Sequence, residues 1–501
     1  MRKLSQRKAL RRTHLVFLVL ILAAAIFIRF QNLGERSLWL DEAWVANAVS
    51  EDSLSALAES SFHAPLFFVL AVHVLITFFG NNEFVLRLLP CLFGIGTLVV
   101  FYWIIRKHTG KTAALLSLLL LSFSPHAVRY SQELKQYTSA MFFAILLVYL
   151  CERVVSHDKN RDWTGLILFS ILGIGFDHSL AFMVPAVFLV LLLSLPLEKY
   201  WKKILASGSV VFIFSLFFFL FHLRHQISES LVSAQSYWLP YYPRTTSPGV
   251  FLKWLSRSFV KMFDFFSVPY FYLSLVIMVI GLSLFYKNSK KRFLIYILLP
   301  PLLVLAASFL RRYPFGGSRL MLFAAPLLYL SFAKGLDFMF IKLRTSRMLI
   351  PLFLLAVLMV VPPVSQFIHT AKHPVSFEEM RPLLRKLEKR IHPGDKIYVY
   401  YGALEAFKYY SRTRYPDLRD KQNVFWGEYH RDNPSQYVRE LEKFLDKDTR
   451  LWVVFSHYRE NERLLILDYL DQRGDLITKI SDKGTLAYLY EITKTTDTKS
   501  N

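Results

Sequence analysis

Cysteine is nearly absent. The chain has two in 501 residues, Cys91 and Cys151, each inside an apolar run. A Cys-ligated zinc site is excluded, and so is a small disulfide-stapled fold. Acidic residues are also scarce: 37 Asp and Glu stand against 60 Lys and Arg, a net charge of +23. No Asn-x-Ser/Thr acceptor occurs, because Pro434 disqualifies Asn433-Pro434-Ser435. An exported eukaryotic domain of this size often carries one, so the absence favours a prokaryotic plasma membrane. No internal repeat suggests the paired halves of a transporter.

What the chain has in excess is apolar surface. Hydrophobic residues make up 54% of it, with 45 Phe, and the mean hydropathy is +0.35. A soluble fold cannot hide that much. The chain reads as an α-helical polytopic membrane protein with a small C-terminal α/β domain. The first 363 residues hold 36 Lys and Arg against 16 Asp and Glu, whereas residues 364–501 hold 24 against 21. Positive charge scattered among apolar spans is the mark of cytoplasmic loops. A nucleic-acid binder would gather it on one face.

The N-terminus MRKLSQRKALRR precedes an apolar run from about His14 to Phe30. With no small-residue cleavage site after it, this is read as a first span rather than a signal peptide. Further runs lie at roughly 64–79, 84–105, 113–128, 138–152, 163–176, 179–196, 203–222, 268–286, 293–310, 319–340 and 348–363. If 64–79 lies flat on the outer surface, every short basic cluster falls on one side. These clusters are Arg106/Lys107/Lys111, Arg153/Lys159/Arg161, Lys199/Lys202/Lys203, Lys287/Lys290/Lys291/Arg292 and Lys342/Arg344/Arg347. The expectation is about 11 spans, the N-terminus cytoplasmic and residues 364–501 an extracytoplasmic α/β domain after a membrane domain 1–363. Helices are expected near 377–390, 434–446 and 459–473, and strands at 396–401, 450–455 and 474–492.

That topology leaves outside the loop 31–83, the short turn 129–137, the long loop 223–267 and the turn 311–318. In the first loop, Asp41 and Glu42 stand between Trp39 and Trp44. Tryptophan favours the headgroup level, where a low dielectric raises a carboxylate toward a usable base. The bland alternative is a helix N-terminus that favours acids. The turn after 113–128 carries Arg129, Gln132, Glu133, Lys135 and Tyr137, with Glu133 and Tyr137 at i,i+4. A short turn holds Asp177 and His178. Near the next outer turn Arg311, Arg312 and Arg319 flank Gly316-Gly317. Outer arginines run against the positive-inside trend and suit a phosphate held at the outer leaflet. The alternative readings are an ordinary interhelix turn, a hydrogen-bonded turn histidine, and contact with anionic lipid. No His/Asp cluster has ligand spacing, so neither metal nor cofactor is expected.

Four stretches resemble a known superfamily. They are Ser37-Leu38-Trp39-Leu40-Asp41-Glu42-Ala43, His63-Ala64-Pro65-Leu66, Phe79-Gly80…Glu83…Arg87, and Ser131-Gln132-Glu133-Leu134-Lys135-Gln136-Tyr137. They resemble bacterial relatives of protein O-mannosyltransferases and aminoarabinose transferases, polytopic glycosyltransferases of the C type (GT-C). The resemblance covers roughly residues 15–340. It implies transfer of a sugar from a polyprenyl-phosphate carrier to an acceptor outside the cytoplasm. It also implies Asp41 as base beside Glu42, and outer arginines on the carrier phosphate. His63 and His178 join the implied substrate-binding set. His63-Ala64-Pro65 departs from the usual His-Pro-Pro, and Lys135 stands where relatives often have arginine, which loses the bidentate fork. Two rival readings differ in class: a flippase of lipid-linked saccharides, and a surface-polysaccharide polymerase or ligase using a pyrophosphate-linked donor.

Overall fold

The computed structural model describes residues 2–60, 64–224, 238–244, 247–266, 270–288, 290–342, 349–373, 376–419, 423–445 and 448–493. The chain divides into two compact units: residues 1–31, 64–68 and 87–373, and residues 32–63, 69–86 and 374–501. The boundary expected at 363/364 falls inside the helix Leu349–Lys372, and residues 32–63 and 69–83 of the loop 31–83 belong to the second unit.

The first unit is helical. Among the described residues, seven helices are long and apolar enough to cross a membrane, or eight if the bent pair Lys111–Ser122 and Pro125–Ser131 counts as one. This corrects the expected 11. The runs 163–176, 179–196 and 268–286 fold as helices of 17, 15 and 17 residues. At 1.5 Å per residue they reach only about 23–26 Å, short of a hydrocarbon core of about 30 Å. The run 64–79 gives Leu66–Phe79, shorter still at 14 residues. The bent pair turns by 58° where Pro125 opens the second helix, since a ring without an N–H ends one helix and begins another.

Four of the five basic clusters meet at one end of this bundle. Lys290 Nζ lies 2.9 Å from His108 Nδ1, and Arg292 forks onto Glu152 at 2.5 and 2.9 Å. Arg153 pairs with Asp162 at 2.8 Å, and Lys203 pairs with Asp158 at 3.4 Å. Midway, Phe271–Lys287 and Ala325–Lys342 cross at contact distance. A Cβ at Gly281 would stand 1.8 Å from the Ser331 carbonyl oxygen, and one at Gly335 1.8 Å from that of Ile277. Small residues permit such an approach.

The second unit holds a five-stranded sheet in the order β2-β1-β3-β5-β4, made of β1 (Lys396–Val399), β2 (Val424–Trp426), β3 (Thr449–Ser456), β4 (Gly474–Asp482) and β5 (Thr485–Ile492). β1 runs parallel to β2 and β3, and β5 antiparallel to β3 and β4. Six consecutive residues of β3 are buried, as expected of a central strand covered on both faces. The expected helices appear as Met380–Glu388, Ser435–Glu442 and Glu460–Asp471. The run 474–492 is a hairpin, turning at Gly484 with φ +67°. The helix Tyr401–Thr413 and β2 were not anticipated.

Candidate functional site

Asp41 and Glu42 occupy the first turn of the helix Leu40–Ala48 in the second unit. They are 9% and 1% exposed, so this is not a solvated helix start. The macrodipole favours acids there. Residues of the tail pin the entry to this helix. Glu378 accepts from Leu40 N at 3.0 Å and from His457 Nδ1 at 2.8 Å. Glu379 accepts from Ser37 N and Oγ at 3.1 and 2.7 Å. Leu38 N donates to the Tyr410 hydroxyl at 2.8 Å. That hydroxyl donates to buried Glu83 at 3.2 Å, which also accepts from Arg381 at 2.7 Å and from Arg414. A carboxylate gripped by two guanidiniums is a charge-assisted clamp.

In the helical unit the turn 132–136, the turn 177–179 and the loop 311–319 come together. Arg129 Nε bonds Glu133 at 3.3 Å and its guanidinium lies 5.3 Å from the Tyr130 ring centroid. Tyr130 meets Tyr137 edge-on at 5.1 Å. Arg319 stands over Tyr137 at 5.6 Å and Trp238 at 6.0 Å. Gln132 Nε2 donates to the carbonyls of Ile28 (2.8 Å) and Gln31 (2.9 Å), closing the end of the first helix. Gln132, Glu133 and Lys135 are buried. Glu133 and Tyr137 do not share a helix face as expected, because Pro125–Ser131 has ended and Tyr137 begins the next helix. Glu133 turns back onto Arg129 instead.

Asp177 accepts from Ser179 N at 2.8 Å, and burial pushes its carboxyl up to about 6. Burial, and then His222, push His178 down to about 4, so its ring is neutral near pH 7. Tyr313 donates to the Leu320 carbonyl at 3.0 Å. Burial and the nearby Asp177 and Tyr137 raise its pKa. Arg311 and Arg312 are exposed, with the backbone at Arg311 left-handed (φ 52°). His63 lies outside the described residues.

One feature of the sequence was missed. Lys253, Arg257 and Lys261 recur every fourth residue along Pro248–Phe265, so they form one stripe. With Arg244 they line a groove of about 620 Å³ bounded by Phe315, Gly316 and Gly317. Trp254 Nε1 bonds the Pro240 carbonyl at 3.2 Å and Phe315 N the Tyr241 carbonyl at 3.1 Å. A Cβ at Gly317 would sit 2.1 Å from the Lys261 carbonyl oxygen, so the wall closes by backbone contact. Among the described residues none of these four cations is ion-paired, and no three His, Cys, Asp or Glu form a metal-binding group.

Residues 63–222 match the family model of dolichyl-phosphate-mannose-protein mannosyltransferases. That segment carries Arg129–Tyr137 and Asp177–His178. A protein of Aquifex aeolicus (strain VF5), itself uncharacterised, is 30% identical over 221 residues, 42% of this chain and 44% of that one. YkcB of Bacillus subtilis (strain 168), provisionally assigned as a mannosyltransferase, is 25% identical over 215 residues, 39% of this chain and 28% of its own length. The matched stretch spans less than half of either relative. Among solved structures, ArnT from Cupriavidus metallidurans bound to undecaprenyl phosphate superposes with a TM-score of 0.57 at 14% identity. It covers 94% of this chain and 97% of that one. The same protein in its apo state gives 0.50. Fold, family model and relatives point the same way: over residues 63–222 the chain is similar to the dolichyl-phosphate-mannose-protein mannosyltransferases, and its fold is similar to that of ArnT.

Proposed function

We propose that the chain moves a sugar from a polyprenyl-phosphate carrier to an acceptor outside the cytoplasm, with inversion at C1. The observation that carries this reading is the cluster at one end of the helical unit, where Arg129 and Tyr137, on either side of the turn 132–136, meet Arg319 from the loop 311–319. The linked basic loops occupy the other end. In the proposed orientation the basic end is cytoplasmic, the N-terminus is inside, and the α/β domain lies outside the plasma membrane of a prokaryote.

In this mechanism Asp41 takes the proton of the acceptor hydroxyl as the oxygen attacks C1. The C1–O bond to the carrier breaks, and the polyprenyl phosphate leaves with the bonding pair. A phosphate leaving group gains more from cations than from a proton. Arg129, Lys135 and Arg319 supply charge within the cluster, and the stripe Lys253/Arg257/Lys261 offers more to the carrier headgroup. Glu42 orients the base.

The test offers purified protein polyprenyl-monophosphate sugars and pyrophosphate-linked oligosaccharides in parallel. Transfer from the monophosphates alone is expected. Use of the pyrophosphate donors alone moves the chain to a polymerase or ligase, and translocation without bond cleavage moves it to a flippase. Cysteines placed at Lys111 and Lys287 should both label only from the cytoplasm. Labelling of Lys111 from outside would reverse the orientation.

A further inference from the structure

A cavity of about 600 Å³ opens in the unit that holds Asp41, lined by Trp44, Asn47, Glu405, Lys408, Arg412 and Trp426 among others. This volume lies within the range of small-molecule sites, roughly 300–1,000 Å³. Trp426 is 39% exposed at its rim. Phe407 meets its ring edge-on at 5.7 Å and Lys408 Nζ lies 5.9 Å from its centroid. A tryptophan braced from below and open above is a flat apolar platform with a polar edge, the surface that the C–H face of a pyranose covers.

The polar groups are positioned as well. Asn47 Nδ2 donates to Glu405 Oε2 at 2.7 Å and to the Glu405 carbonyl at 3.0 Å, and Lys408 Nζ donates to Oε1 at 3.4 Å. Each carboxylate oxygen keeps lone pairs for hydroxyl donors. Lys408 and Arg412 are balanced by Glu51 and Glu405, so a polyanion gains little here, in contrast to the all-cationic groove at 244–261. Trp44 follows Asp41 by three residues on the same helix. The two share a face and are separated by about 4.5 Å of rise.

We propose that this cavity binds a neutral saccharide, the glycan end of the acceptor, and holds it one helical turn from Asp41. The proposal rests on the transferase reading above, since it names the acceptor class of that reaction.

The test displays labelled full-length protein in detergent on an array of bacterial surface oligosaccharides. Retention of radiolabelled undecaprenyl phosphate is measured alongside. Wild type should capture neutral glycans. Trp426→Ala should lose capture on the order of tenfold, Trp426→Phe should restore most of it, and Glu405→Gln should weaken it. Lipid retention should stay unchanged throughout. No glycan capture by wild type, or equal capture by Trp426→Ala, overturns the cavity proposal whatever the lipid does. Tryptophan-dependent capture without lipid retention overturns the donor reading instead and leaves the cavity standing.

Discussion

A base must be reachable by its substrate yet shielded enough to hold a proton. Of the two acids in the proposed mechanism, Asp41 at 9% exposure is the more reachable and Glu42 at 1% the more enclosed. Asp41→Asn keeps the shape and cannot take a proton. Single-turnover transfer should fall by about 10²–10⁴ with donor affinity unchanged, and Glu42→Gln should cost less. Near-normal transfer in Asp41→Asn would remove the base from the scheme. Asp177 makes a second prediction at this scale, about stability. Its folded pKa is raised to about 6 from 3.8, so between those values the native state keeps a proton that the unfolded chain has released. Stability therefore falls as pH rises through that window and levels off above it, by at most about 3 kcal/mol. Asp177→Asn preserves the acceptor for Ser179 N and removes the slope. Its melting temperature at pH 7 should exceed that of wild type, and the two should converge near pH 4. The acid pair at 41–42 was legible because it stands between tryptophans just past an apolar run. The contrast between Arg319, held against two rings, and Arg311 and Arg312, turned outward, was not. Three arginines look alike in a sequence, and a left-handed residue at 311 leaves no compositional trace.

Helices that touch through glycine are set by what is missing from their surfaces. Gly281→Ala or Gly335→Ala drives a methyl into the partner's backbone. Each should destabilise by about 1–3 kcal/mol. The double variant should cost less than the sum, because the first methyl has already parted the helices. Gly249, near the start of its helix with nothing within 4 Å of its Cβ position, is the control, and Gly249→Ala should be neutral or mildly stabilising. Thermal unfolding in one detergent reads all four. Legibility at this scale follows length. Runs near 20 residues were found and counted correctly as helices, whereas those of 15–17 residues were over-counted as spans. In the tail, three-residue β2 is too short to show an alternating period. The helix Tyr401–Thr413 did show its pattern, with Ala403, Ala406, Phe407 and Tyr410 buried on one face. Its aromatic content hid it.

The segment that carries Asp41 is held by residues more than 300 positions away. Glu378→Ala and Arg381→Ala, neither near Asp41 in sequence, should both lower transfer while donor retention stays normal. The first removes the acceptor for the helix start, and the second strips half the clamp from buried Glu83. A broken buried pair costs about 3–5 kcal/mol, so Arg381→Ala should also unfold at lower denaturant. Full activity in both variants would show that the pinning is dispensable. No periodicity or spacing could have announced these contacts, since they join segments that are local only in the folded state. The loop 32–63 has the same history during synthesis. It leaves the ribosome some 300 residues before the tail that completes its unit. At about 5–20 residues per second it waits roughly 15–60 s before Glu378 and Glu379 can pin the entry to the Asp41 helix.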